Sequence, residues 1–201
     1  MTNPSALKKL VRAEVRAARA RRVAERPTRD RRIQSHLLAA LADLPSPPTT
    51  IGAYVPLPGE PGGADLPTVL ARTGAQVLLP RVVRSDAPRL EAPSLEWIEF
   101  QPEKPNLVTG TWGISEPVGN VIHTFPTCAD VIVTPALSID YHGTRLGQGG
   151  GFYDRTLANR PSNVKVWAVV DHEEFTRTVP SQDHDLVVDA VLNDLGFFPI
   201  M

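Results

Sequence analysis

The chain has 201 residues, enough for one domain with a sizeable core and short for two of ordinary size. Its 21 basic and 22 acidic residues leave a formal charge of −1, so no global excess calls for nucleic acid or an anionic membrane surface. The single cysteine, Cys128, excludes an internal disulfide and a multi-cysteine zinc site, and no apolar run approaches the length of a membrane span or a signal-peptide core. Together these features predict a soluble cytoplasmic protein, with no membrane partner.

In chain order, residues 5–25 read as a first helix, with Leu7, Leu10, Val11 and Val15 as a narrow apolar stripe. A second helix is expected from about Thr28, a plausible N-cap after Pro27, to about Leu44. Eleven Lys or Arg residues lie between Lys8 and Arg32 against only Glu14, Glu25 and Asp30. Such helices present either a solvated basic face or a nucleic-acid surface, and both readings stay open here. Arg16 and Arg19 read as ordinary surface charges. Pro45-Ser-Pro-Pro48 stops the second helix, and Thr49–Tyr54 reads as the first core strand.

The loop Val55–Gly63 is too rich in proline and glycine for regular structure, and Glu60 is its only charge. That carboxylate is either solvated or a ligand-facing acceptor, since loops after strand ends line the clefts of open α/β sheets. Ala64–Thr73 is expected to be helical with Gly74 as its C-cap, and Gln76–Pro80 to be a strand leading into Arg81. Arg81 faces either an anionic ligand or a neighbouring carboxylate. Ser94–Phe100, Ala129–Thr134, Val164–Val170 and Asp185–Leu192 read as further strands. The five histidines show no metal-ligand spacing. Strands alternating with helices predict a single α/β domain over 1–201, with a mainly parallel central sheet flanked by helices on both faces.

The densest chemistry lies in Thr134–Arg155. It leaves the apolar run Val131–Val133 and ends in a segment, Phe152–Asn159, that can open a helix. Gly147, Gly149, Gly150 and Gly151 free the backbone for positive φ and for close approach to a ligand. Arg145 and Arg155 bracket the glycines, and Asp154 offers a hard oxygen ligand for magnesium. Neither the dinucleotide fingerprint nor the Gly-Lys-Ser/Thr phosphate loop is present. Spacing alone leaves a phosphate cradle and a flexible surface turn equally open.

The longer string is more specific. Pro135-Ala-Leu-Ser-Ile-Asp140, Gly143-Thr-Arg-Leu-Gly147 and Gly149-Gly-Gly-Phe-Tyr-Asp-Arg155 resemble the signature of the 5-formyltetrahydrofolate cyclo-ligase family. Lys8-Lys9-Leu10-Val11-Arg12, Pro80-Arg81, Trp112-Gly-Ile-Ser-Glu-Pro117 and His184-Asp185 with Asp189 match further segments of that family. After Glu60 the chain reads Pro-Gly-Gly, and the last strand ends Leu192-Asn193-Asp194; both depart from the family's usual form. The resemblance implies an ATP- and Mg²⁺-dependent cyclisation of 5-formyltetrahydrofolate to 5,10-methenyltetrahydrofolate, by phosphorylation of the formyl oxygen. It assigns Lys8, Arg12, Arg145, Gly147, Gly149, Gly150, Gly151, Phe152, Tyr153 and Asp154 to ATP, and Asp154 to Mg²⁺. It assigns Tyr54, Glu60, Trp112 and Tyr153 to the folate, with Arg145 and Tyr153 as the catalytic pair. Trp112 is either core or a stacking platform, and Glu116 either structural or a substrate contact. A monomer acting on small molecules is expected. The alternatives are a non-catalytic nucleotide- or folate-binding module of the same fold, and a nucleic-acid binder using the basic helices.

Overall fold

The computed structural model describes residues 4–83, 94–104, 106–110, 113–176, 178–181 and 185–200. Two helices come first, α1 (Pro4–Arg21) and α2 (Arg26–Ala42), joined by a 3₁₀ turn at Val23–Glu25. Pro27 sits in the first turn of α2, where a missing N–H forfeits no intrahelical bond. Strand β1 (Thr50–Gly52), helix α3 (Leu66–Ala71) and strand β2 (Gln76–Val83) then form a parallel β-α-β unit. β3 (Ser94–Glu99) returns antiparallel to β2, and β4 (Leu107–Thr109) pairs with β5 (Ser115–Pro117) as a small ribbon. The second half runs β6 (Val131–Pro135), β7 (Ser138–Asp140), β8 (Arg145–Leu146), α4 (Phe152–Leu157), β9 (Lys165–Val169), β10 (Phe175–Thr176), β11 (Ala190–Asn193) and β12 (Gly196–Pro199).

Seven strands make the central sheet in the order β12-β11-β9-β6-β1-β2-β3. The five inner strands are parallel, and an antiparallel strand closes each edge. Continuous runs such as Val131-Ile-Val133 suit strands covered on both faces. Their side chains divide alternately: Val131, Val133, Trp167 and Val169 join one core, and Ile132, Val166, Ala168 and Val191 the other. The first core is covered by Ile33, Leu37 and Leu41 of α2, spaced four apart, and by Leu66 and Leu70 of α3. Leu37 is fully buried, and Leu37→Ala would cost about 2–5 kcal/mol. The second core receives Leu157 of α4 and Ile139 of the three-stranded sheet β10-β7-β8. Helices therefore cover both faces, with a small sheet assisting on the second.

The first helix docks differently from its predicted apolar stripe. Leu7 and Leu10 are exposed, whereas Lys8 and Arg19 are buried and Val11, Arg12 and Val15 half-buried. α1 thus packs through its basic face. Arg19, read from sequence as a surface charge, donates through Nε and Nη2 to the two Glu174 oxygens at 2.9 and 2.7 Å, and through Nη2 to the Ala136 carbonyl at 2.7 Å. Burial works against its charge, and the Glu174 hydrogen bonds more than restore it, leaving the guanidinium above its ordinary pKa. Arg22 meets Glu173, Arg26 meets Asp171 at 2.7 Å, and Arg29 holds Glu173 with a fork at 2.8 and 2.9 Å. Four of the basic residues therefore neutralise an acidic turn beyond β9. The solvated-face reading fails for this stretch because Asp171, Glu173 and Glu174 are far away in sequence and close in the fold.

The strand expected over Asp185–Leu192 begins only at Ala190. The preceding backbone bonds elsewhere, with Leu186 and Val188 pairing to Arg145 and Gly143. β12 was not foreseen: Asn193 Oδ1 accepts from the Leu195 and Gly196 amides, turning the chain into an antiparallel edge strand. No helix among the described residues is long and apolar enough to cross a membrane.

Candidate active site

Strand order places the site. From β1 the chain moves outward to β2 and β3, then returns to β6 on the other side of β1. The connections leaving β1 and β6 diverge at this switch point, and open α/β sheets bind ligands in such crevices. A cavity of about 1260 Å³ opens there, above the upper end of the range for a single small ligand. It is walled by Lys8, Arg12 and Arg16 of α1, by Tyr54 and Glu60 after β1, by Ala136 after β6, by the 147–151 loop and α4, and by Asp185–Asp189.

The glycine loop is shaped by what passes beside it. A Cβ on Gly147 would fall 2.6 Å from Arg145 Nη1, so only glycine lets that guanidinium lie along the backbone. Gly149 has φ +108°, and its missing side chain leaves the Arg12 guanidinium 3.3 Å from where a Cβ would stand. α4 spans six residues rather than the eight expected. So short a helix lends little dipole, and the positive potential of the cleft comes from side chains.

Those side chains differ in how far they are already neutralised. Lys8 binds both Asp185 oxygens at 2.8 and 2.6 Å. Arg145 is buried, donates to Asp154 Oδ1 at 3.0 Å and to the Pro135 carbonyl at 3.1 Å, and keeps a buried Nε with no partner. Arg12 donates to the Gly147 carbonyl at 2.9 Å, and Arg16 donates to Gln148 Oε1 at 2.6 Å. Among the described residues neither Arg12 nor Arg16 has a carboxylate partner. Desolvation and the neighbouring Arg16 charge hold Arg12 below its ordinary pKa. Two guanidiniums one turn apart, with Asp154 and Asp185 near Arg12 but paired with neither guanidinium, suit a polyanion. Arg16 thus lines the mouth of the cavity while remaining exposed, and the i,i+4 step from Arg12 was the signal for it.

The opposite wall carries apolar surface from Val82, Leu95 and Ile114. Glu116, buried beneath it, accepts from the Val82 amide at 3.2 Å, and its carboxylate fills the space where a Cβ on Gly110 would stand. Tyr54 is buried and donates its hydroxyl to the Pro61 carbonyl at 2.6 Å, bracing the Glu60 loop. Glu60 Oε2 accepts from the Leu57 amide at 3.0 Å, and Oε1 accepts from Gln148 Nε2 at 3.0 Å. Tyr153 packs edge-on to Trp97 and lies 5.4 Å beneath the Arg145 guanidinium. Burial raises the pKa of both tyrosines, so each keeps its proton at neutral pH. Arg81 resolves toward a neighbouring carboxylate, Glu96 on the facing strand at 2.6 Å. Trp112 lies outside the described residues.

The structure therefore brings Lys8, Arg12, Arg145, Gly147, Gly149, Gly150, Gly151, Phe152, Tyr153 and Asp154 into one cavity with Tyr54 and Glu60. Arg16, Gln148 and Asp185 join them without having been singled out as site residues. Among the described residues no three His, Cys, Asp or Glu side chains converge as a ready-made metal cage. Asp154 supplies a single hard carboxylate beside surplus cations, which fits the way Mg²⁺ is held by one or two carboxylates together with phosphate oxygens.

Fold and cleft together define an α/β ligand-binding protein whose site lies at the switch point of a mainly parallel sheet. Residues 4–194 match the 5-formyltetrahydrofolate cyclo-ligase family, and the chain belongs to this family of enzymes. It is 41% identical over 144 residues to the 5-formyltetrahydrofolate cyclo-ligase of Mycolicibacterium smegmatis, covering 71% of this chain and 72% of that one. The Escherichia coli cyclo-ligase is 33% identical over 145 residues, covering 71% and 76%. Among solved structures, the 5,10-methenyltetrahydrofolate synthetase of Aquifex aeolicus superposes with a TM-score of 0.71 at 25% identity, covering 96% of this chain and 93% of that one. The synthetase of Mycoplasma pneumoniae shares the fold at a TM-score of 0.69 and 20% identity, covering 96% and 99%.

Proposed function

We propose that this protein catalyses the ATP- and Mg²⁺-dependent cyclisation of 5-formyltetrahydrofolate to 5,10-methenyltetrahydrofolate, releasing ADP and phosphate. Family membership supports the reaction, and one observation of the cavity supports the nucleotide: Arg12 and Arg16 reach a carbonyl and an amide oxygen of the glycine loop, and among the described residues neither is paired with a carboxylate. Overall, the formyl C=O double bond is exchanged for a bond from that carbon to N10 and a second bond to N5. The oxygen leaves on phosphate, and the N10 proton is lost.

Phosphoryl transfer asks a protein mainly for positioning and charge neutralisation. Lys8, Arg12 and Arg16 are assigned to the polyphosphate from the α1 side, and the glycine loop approaches it with bare backbone. Arg145, anchored on Asp154 and Pro135 with its Nε unpartnered, is assigned to the oxygen being phosphorylated. Asp154 is assigned to Mg²⁺, which when bound offsets phosphate charge. Glu60 is assigned to the amino and N–H edge of the pterin, and Tyr54 holds its loop. Tyr153, protonated and beside Arg145, is assigned to the formyl group or ring. No covalent nucleophile is needed.

The product absorbs in the near ultraviolet, so purified protein with ATP, Mg²⁺ and 5-formyltetrahydrofolate should develop that band and release ADP in equal amount. Well-folded protein that binds both ligands without any absorbance change would leave a binding module instead.

A further inference from the structure

Gln148 joins two groups of the cavity lining that come from different segments of the chain. Its Oε1 accepts from Arg16 Nη2 at 2.6 Å and Nε at 3.2 Å, while its Nε2 donates to Glu60 Oε1 at 3.0 Å. Only this orientation of the amide satisfies both a cation and a carboxylate. The two ends of a planar amide turn together, so a rotation that follows one partner abandons the other. Three segments, α1, the loop after β1 and the glycine loop, thus meet through one side chain.

We infer that Gln148 couples occupation of the Arg16 side of the cavity by a polyphosphate to occupation of the Glu60 side by a reduced folate. This rests on the function proposed above. Arg16 and Glu60 are both engaged by Gln148. A polyphosphate that draws Arg16 away removes the contact that orients the amide, and Glu60 Oε1 is released to accept from a ligand N–H. Glu60 Oε2 keeps its bond from the Leu57 amide, so the freed carboxylate stays in place. The first ligand breaks the relay and the second meets it already broken, whichever binds first, because linkage is reciprocal. The relay lies at the surface, where hydrogen bonds contribute little net energy, so the coupling is expected at the low end of the usual range, about fivefold.

Calorimetric titration of the full chain with a non-hydrolysable ATP analogue and 5-formyltetrahydrofolate, with Mg²⁺ present, tests this. Each ligand should bind about fivefold more tightly when the other is saturating. Gln148→Met keeps the side-chain length without the amide, and should bring that ratio to about one while each ligand alone binds at least as tightly as before. Gln148→Glu keeps an acceptor for Arg16 but repels Glu60, and should also abolish the ratio. Wild-type coupling in Gln148→Met, or a ratio near one in the wild type with both ligands bound, overturns the relay and leaves the site reading standing. Failure of the folded wild type to bind either ligand overturns both.

Discussion

One oxygen of Asp154 accepts from Arg145 Nη2 at 3.0 Å and from the Leu186 backbone amide at 3.1 Å. A single carboxylate on α4 thereby ties β8 to the segment that precedes β11. It also sets the orientation of a guanidinium whose Nε is left without a partner.

Arg145→Lys tests that orientation. An ammonium is a point donor and cannot reach Asp154 and the Pro135 carbonyl as a planar fork does. We expect kcat/KM to fall about 10²-fold, or about 2.7 kcal/mol, with a larger loss in Arg145→Ala. Steady-state kinetics unchanged from wild type in both variants would remove Arg145 from the reacting centre.

Arg12→Ala removes a cation that hydrogen-bonds the Gly147 carbonyl and, among the described residues, has no paired carboxylate. The expected result is a rise of about tenfold in the KM for ATP with kcat little altered, the pattern of lost uniform binding. Arg16→Ala should act in the same direction and less, because Arg16 is exposed and solvent screens it. A selective fall in kcat would contradict this assignment.

Tyr54→Phe leaves the Pro61 carbonyl without its donor. Loss of this buried hydrogen bond should cost about 1 kcal/mol of stability and raise the KM for folate more than that for ATP, since the braced loop carries Glu60. Thermal unfolding and separate titration of the two substrates distinguish the two effects.

The Arg19–Glu174 pair predicts a stability effect without direct contact with ligand. Glu174→Gln leaves a buried guanidinium uncompensated, at a cost of about 3–5 kcal/mol, so its melting temperature should fall markedly. Replacing both residues by apolar ones of similar size should recover much of the loss. A double variant as unstable as the single one would argue against charge burial as the cause.

Acid should destabilise the fold in part through Glu173. Its hydrogen bonds from Arg29 lower its pKa from the usual 4.5 to about 2. A carboxylate depressed in the folded state adds stability that is complete above the unfolded pKa and is lost as pH falls through the folded one. The window is therefore pH 4.5 down to about 2. Glu173→Gln should flatten the melting temperature against pH across that window; because the side chain is partly exposed, the difference should be only about 2–4 °C. A variant whose curve parallels the wild type would assign acid sensitivity elsewhere.

The parallel sheet was legible because Val131–Val133 and Val166–Val170 are uninterrupted apolar runs, and the glycine loop because the longer string around it matches a specific signature. What escaped was decided at long range. Arg19 and Glu174 are 155 residues apart, and nothing near either names the other. Arg16 and Gln148 are likewise 132 apart, so their meeting follows only from α1 lying across the glycine loop. The apolar stripe on α1 misled because the helix buries charge where hydrocarbon was expected. The strand predicted from Asp185 started late because hydrogen bonds to Gly143 and Arg145 compete with the sheet, a contest invisible to periodicity.

That α1 is fastened by charge means its grip is graded by solvent. At Arg19 the attachment is buried and salt screens it weakly, whereas Arg16 meets Gln148 in the open, within reach of mobile ions. Rising ionic strength should therefore loosen α1 at Arg16 first, while the largely buried Lys8–Asp185 and Arg19–Glu174 pairs and the hydrocarbon-packed sheet hold. The wall of the cleft is in this sense tuned by the medium: concentrated salt slackens it at Arg16, and a bound polyanion gives that side chain a new anchor in place of Gln148.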